Sequence, residues 1–362
     1  MQKPGFSYMS KIVIFSHKPI FQKGLISGPG IRVFKIAKAL QKKGHIVSIA
    51  ELERKKKEIK EKINFILWNE DLLNNINKKY DVAFIQNWCS DPDFLNKLKC
   101  IPTIVDVYAP YLVEHIYYHY KQTNSAMNDF RDNVMLPYIL PLLHGDFFIC
   151  ANKEQKDYYL GMLTMLGRIN PSESHKDLID IIPIIGSKQK TKREKIITKK
   201  IKKRIILWPG GFFPWFNPLT AIKAMELVNK EMKEVALVFV GSHNPLAPKA
   251  LTYKYLKEIK TYVRKRKLEN KSIFFLPWQK YDDFQNICNE SEFAIISYKN
   301  NLETELSSRT RVIDCLSNNL PVISTKGDSV SEIIEQNKLG LTTLPNDIEG
   351  LAKKILFLLN NK

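Results

Sequence analysis

Cysteine is scarce and scattered. Its five residues, Cys89, Cys100, Cys150, Cys288 and Cys315, form no CxxC pair and are odd in number, which argues against a disulfide framework and a zinc knuckle. Long apolar runs are missing too. The run Ile12 to Phe15 is only a strand long, and no later segment approaches the roughly 18 apolar residues that crossing a bilayer takes. The expectation is a cytoplasmic chain without a signal h-region or spanning helix, at most peripheral at the inner face of the plasma membrane. Carboxylates are in deficit: 37 acidic residues face 56 basic ones, for a formal charge of +19. That charge suits nucleic acid, an anionic membrane surface or plain solvation. No nucleic-acid motif accompanies it, so nucleic acid is not an expected partner.

What is present is a repeated alternation. Short β-branched runs alternate with longer amphipathic segments, the signature of βαβ units and parallel sheets. One series of strands is expected at Lys11 to Phe15, His45 to Ala50, Val82 to Gln86, Thr103 to Tyr108 and Asp146 to Ala151. A second is expected at Arg204 to Gly210, Val235 to Gly241, Ser272 to Pro277, Phe293 to Tyr298 and Pro321 to Thr325. Between them lies KQKTKREKIITKKIKKR, Lys188 to Arg204, with Glu194 as its single acid. The expected fold class is α/β, with two Rossmann-like domains whose parallel sheets face an interdomain cleft. The domains are residues 1–187, a basic linker 188–203, and residues 204–345, followed by a C-terminal helix in 346–362 that packs back across the cleft.

In open α/β sheets ligands bind beyond the carboxyl ends of the strands, so the segments just after each strand are the candidates. After the first strand, the turn Gly28-Pro29-Gly30 leads into a helix with Val33, Ile36, Ala37 and Leu40 on one face. Glycine lets a backbone approach an anion, and a helix N-terminus favours negative charge; a plain βα turn is the alternative. In the second half, Gly210-Gly211 precedes Asn217-Pro218, an N-cap followed by proline at the first helical position. Phe212, Phe213, Trp215 and Phe216 there offer rings for stacking or for packing. The densest segment runs from Asn301 to Thr325, where Arg309 and Arg311 stand before a helix carrying Asp314. Guanidinium groups suit a diphosphate and a nearby carboxylate suits ribose hydroxyls; a surface ion-pair set with Glu303 and Glu305 is the alternative. Gly327-Asp328 opens one more glycine turn at a helix start.

Four segments in this order, GPGIRVFKIAKALQKKGHIVSIA, LWPGGFFPWFNPLTAIKAM, VFVGSHNP and ETELSSRTRVIDCLSNNLPVISTKGDSVSEII, resemble the retaining GT-B glycosyltransferases of family 4, the group 1 glycosyltransferases, over nearly the whole chain. The resemblance implies a nucleotide-diphosphate sugar held mainly by the C-terminal domain, with Gly28, Gly30, Gly210, Gly211, Phe213, His243, Arg309, Arg311, Asp314, Gly327 and Asp328 as candidate donor contacts. It implies a glycan or lipid-linked acceptor on the N-terminal domain, near Tyr108, Glu114 and His115, in cell-surface polysaccharide synthesis such as lipopolysaccharide, O-antigen or capsule. It implies no cofactor and no obligatory metal.

The chain departs from the family at two points. The usual pair of glutamates eight positions apart falls on Leu306 and Asp314, so the role of the first either passes to Glu303 or Glu305 or is absent. The arginine and lysine that commonly follow the second glycine turn are absent, leaving that charge to Arg309 and Arg311. Asp106, Glu303 and Arg309 are the candidate catalytic residues. The rival expectations are a sugar-nucleotide-binding protein without turnover and, less favoured, a basic nucleic-acid-binding protein.

Overall fold

The computed structural model describes residues 9–17, 20–22, 25–53, 63–118, 123–172, 178–186, 194–242 and 249–361. It forms two compact units, Met1–Pro183 and Ile184–Lys362.

Unit 1 is built on seven parallel strands: β1 (Lys11–Ser16), β4 (Ile46–Glu51), β5 (Asn64–Leu67), β6 (Val82–Gln86), β7 (Thr103–Asp106), β8 (Phe147–Cys150) and β9 (Ile179–Ile181). They lie in the order β5-β4-β1-β6-β7-β8-β9, and a separate two-stranded antiparallel ribbon pairs β2 (Phe21–Gln22) with β3 (Leu25–Ile26). Val13, Ile14 and Phe15 of β1 are buried, because a central parallel strand is covered on both faces. The helix Gly28–Lys42 starts where Ser27 accepts the Gly30 N–H at 3.2 Å and Pro29 presets the first turn. It buries Ile31, Val33, Phe34 and Ala37, and with them Arg32.

Unit 2 repeats the plan with six strands: β10 (Arg204–Pro209), β11 (Val235–Val240), β12 (Ile273–Leu276), β13 (Phe293–Ile296), β14 (Val322–Thr325) and β15 (Gly340–Thr343). Their order is β12-β11-β10-β13-β14-β15, all parallel. Its core is aromatic: Trp208, Phe212, Phe239 and Phe275 pack with ring centroids 5.1–5.3 Å apart along the chain Trp208–Phe239, Phe212–Phe239 and Phe239–Phe275. Phe212, Trp215 and Phe216 are buried, so these three rings serve packing.

In both sheets the strand order reverses direction beside the first strand, between β1 and β6 in unit 1 and between β10 and β13 in unit 2. Those two reversals are where doubly wound sheets leave a crevice at their carboxyl edge.

The ten expected strands are all present, each ending within two residues of its expected end. Two further segments have definite places. Residues 194–203 of the expected linker are held on unit 2: the carboxylate of Glu290 accepts the backbone N–H groups of Ile196, Ile197 and Thr198 and the Thr198 hydroxyl, and Ile197 and Ile201 are buried. The terminal helix Ile348–Asn360 packs against the helix Pro218–Glu231 of the same unit, burying Leu351, Ala352, Ile355 and Leu359.

Candidate functional site

At the carboxyl edge of unit 2, two glycines make the close approaches. Gly210, just after β10, has φ +124°, and Gly241, just after β11, has φ +85°, both in the left-handed region that favours glycine. A Cβ on Gly241 would come within 3.1 Å of the Trp278 ring, and one on Gly210 within 3.6 Å of Arg311 Cγ. With Gln279 and Phe284, these residues line a narrow gap. Gly211 sits beside it, with its Cβ position 3.4 Å from the Gly241 carbonyl oxygen.

Arg311 is held in that gap by rings. Its guanidinium lies 4.7 Å from the Phe284 centroid and 5.3 Å from that of Trp278. The buried carboxylate of Asp314, one turn along the helix Thr310–Ser317, stands 3.8 Å from Arg311 Nη1, and that nitrogen makes no hydrogen bond. The result is an immobilised cation with a donor to spare, next to two glycine turns.

Arg309 is placed quite differently. Its Nη1 and Nη2 donate to the two carboxylate oxygens of Glu303 at 2.8 and 3.0 Å, Nε lies 3.4 Å from Asp328 Oδ2, and the group covers the Tyr298 ring at 4.2 Å. Ser307 donates to Glu303 Oε1 at 2.6 Å. Arg309 is 7% exposed, Glu303 1% and Asp328 3%, so this is a buried ionic cluster whose groups face one another. Burial works against the Arg309 charge, but Glu303, Tyr298 and Asp328 outweigh it and raise its pKa. Burial also raises the Asp328 carboxyl, against the pull of Arg309. Asp328 caps the helix Ser329–Gln336 as well, accepting the Ser331 N–H at 2.6 Å, and Gly327 before it has φ +119°. The two catalytic candidates Glu303 and Arg309 are thus partners of each other, and Phe213 stacks on Trp215 at 5.0 Å. His243 lies outside the described residues.

In unit 1, Asp106 ends β7 and is fully buried. Nε of Arg32 donates to both its oxygens at 3.0 and 2.8 Å, and Arg32 Nη1 donates to the Ile182 carbonyl at 2.8 Å. Burial raises the Asp106 pKa and Arg32 opposes the rise. Asp106 therefore fastens the Gly28–Lys42 helix to the strand edge. Gly28 and Gly30 form the first turn of that helix, and the Ser27 hydroxyl occupies the Gly30 N–H. Tyr108 is buried beneath the Arg32 guanidinium, whose carbon lies 5.1 Å from its ring. Glu114 and His115 are half-buried on the helix Tyr111–Tyr118, and the His115 ring lies 4.4 Å from Tyr111.

Beside these residues opens a cavity of about 860 Å³ at the carboxyl ends of β1, β4, β5 and β6, with Trp68 and Trp88 in its wall. Trp88 meets Tyr108 at 6.0 Å and Tyr111 at 6.2 Å. Four residues here were not among the sequence candidates. Arg32 carries a signal, a cation on the apolar face of an amphipathic helix. Trp68, Trp88 and Trp278 carry only a weak one, being tryptophans one or two residues beyond strands.

Residues 188–362 match the family described as glycosyl transferases group 1. No curated protein sequence matches the chain. Among solved structures, WaaG, a glycosyltransferase involved in lipopolysaccharide biosynthesis, aligns with TM-score 0.65 and 12% identity over 97% of this chain and 90% of its own. A glycosyltransferase from Rickettsia africae ESF-5 aligns with TM-score 0.62 and 18% identity over 98% and 89%. Anabaena Alr3699/HepE in complex with UDP-glucose aligns with TM-score 0.62 and 14% identity over 97% and 90%. At these identities the structures share the fold, two α/β units of the GT-B type, and the sequence similarity to the group 1 glycosyl transferases lies in residues 188–362.

Proposed function

We propose that the chain transfers a glycosyl group from a nucleotide-diphosphate sugar bound by unit 2 to a carbohydrate acceptor bound by unit 1. The observation that carries the reading is Arg311: a guanidinium fixed by two rings, with an unused N–H, at the strand-order reversal and against two glycine turns. A diphosphate fits that combination, because backbone can approach it closely and one planar cation can neutralise it with directed bonds. That one similar structure contains UDP-glucose is consistent with this donor chemistry.

In this reading Arg311 and the N–H groups after Gly210 and Gly211 contact the diphosphate and stabilise the charge that grows on it as the glycosidic bond breaks. Asp314 orients Arg311. Glu303, Arg309 and Asp328 form the scaffold beneath, and Arg309 acts through its position rather than on the phosphates. No metal is needed for this role, since the guanidinium supplies the positive charge. A lipid-linked or cell-surface glycan as acceptor rests on the exposed Lys195, Lys199, Lys200 and Lys202, which the Glu290 clamp holds against unit 2 and which suit an anionic membrane face. Co-sedimentation with vesicles containing phosphatidylglycerol tests that part, and equal recovery with neutral vesicles rejects it.

Thermal unfolding in the presence of UDP-, GDP-, ADP- and CDP-sugars tests the donor site, because a ligand of the folded state raises its stability. One nucleotide class is expected to raise the midpoint, and Arg311→Ala to abolish the rise. No rise with any nucleotide sugar would sink the reading. The rival, binding without turnover, is favoured by one observation, the locking of Glu303 to Arg309. Nucleotide release in the presence of acceptor separates the two.

A further inference from the structure

The unit 1 cavity has features that a plain turn between strand and helix does not need. Its volume of about 860 Å³ is within the range of small-ligand sites. It lies at the reversal of strand order between β1 and β6, since His17 and Trp88 of its wall directly follow those strands.

Two partly buried tryptophans supply the apolar surface. Trp68 is braced by Phe94 at 4.5 Å, Phe15 at 5.0 Å and His17 at 5.9 Å, and Trp88 by Tyr108 and Tyr111. Rings fixed in this way offer a rigid face at little entropic cost. The polar wall has the opposite sign from the chain as a whole. Among the described residues of the wall, Glu70, Asp91 and Asp93 are set against the single cation Lys97, which is itself paired with Glu70. With histidine neutral, those four groups sum to −2 on a molecule of formal charge +19.

We propose that this cavity is the acceptor subsite and that it accepts a neutral or amine-bearing sugar while rejecting phosphorylated and uronic ones. The apolar face of a pyranose lies on the indoles and its hydroxyls donate to the carboxylates, whereas an anionic substituent meets a wall of like net charge. The assignment as acceptor site rests on unit 2 being the donor site; the selectivity of the cavity does not.

Saturation-transfer NMR on the full-length chain, with methyl glucoside, glucosamine, glucuronate and glucose 6-phosphate as probes and no donor added, tests it. Binding of the first two and not of the last two is expected. Trp88→Ala is expected to weaken binding about tenfold or more while the nucleotide-sugar stabilisation persists. Asp93→Asn, at an exposed position, is expected to let glucuronate in. Anionic probes binding as well as neutral ones, or an unchanged affinity in both variants, would overturn the proposal. Probe binding in a wild type that no nucleotide sugar stabilises would keep the selectivity and remove the donor reading instead.

Discussion

Arg309→Met removes the only cation that faces Glu303 and Asp328 among the described residues, leaving two carboxylates that are 1% and 3% exposed. Breaking a buried ion pair from one side costs about 3–5 kcal/mol, and in a domain of this size each kcal/mol lowers the midpoint by about 2–4 °C. The expected fall for unit 2 at pH 7 is therefore about 6–20 °C. Its pH dependence has a definite sign. Burial already raises the Asp328 pKa, and Arg309 is what restrains it. A carboxyl with a raised folded pKa favours the fold in acid and loses that contribution as pH rises through the raised value. Without Arg309 the rise is larger, so the variant's deficit should be smaller at pH 5 than at pH 7. Calorimetry of both proteins at both pH values measures it. A fall under about 2 °C at pH 7, with only the nucleotide-sugar shift lost, would refute the reasoning and return Arg309 to the phosphates.

The same logic applies in unit 1. Arg32→Met should destabilise it by about 3–5 kcal/mol at pH 7, and adding Asp106→Asn should restore part of the loss in urea titrations; no restoration would break the pairing argument. Glu290→Gln should free residues 194–203, which limited trypsin digestion reports as faster cutting at Lys199 to Lys203. Burial opposes the Glu290 charge, but its bonds from Thr198, Ile196 and Ile197 outweigh that and lower its pKa. The clamp is thus present above the ordinary carboxylate range and should fail in the wild type only as pH falls through the lowered value. Cutting at the same rate in variant and wild type at neutral pH would count against it.

The buried parallel strands were legible because a strand covered on both faces shows as a continuous apolar run, as in Val235–Val240. The strands that escaped notice stand at sheet edges. Asn64–Leu67 is half-exposed, Ile179–Ile181 has three residues, and Gly340–Thr343 opens on a glycine whose backbone must pass close to Val322. None of these needs a long apolar run. Among site residues, the glycine turns and the Arg309/Arg311 pair stood out by type and spacing. Their division of labour did not, because it depends on distant partners: Trp278 and Phe284 come from the connection between β12 and β13, and Asp328 lies beyond the next strand. The cavity of unit 1 was illegible for the same reason, being assembled from the ends of four strands.

The two rings that hold Arg311 have a kinetic consequence. A guanidinium anchored by carboxylates must surrender bonds before it can meet an anion, so capture carries a reorganisation barrier. At Nη1 Arg311 has no hydrogen bond to break, since Asp314 stands 3.8 Å away and the guanidinium rests against two rings, so an arriving anion displaces no partner there. Such a site works by waiting rather than by rearranging, and lysine, a point charge without a planar fork of donors, cannot stand in for it.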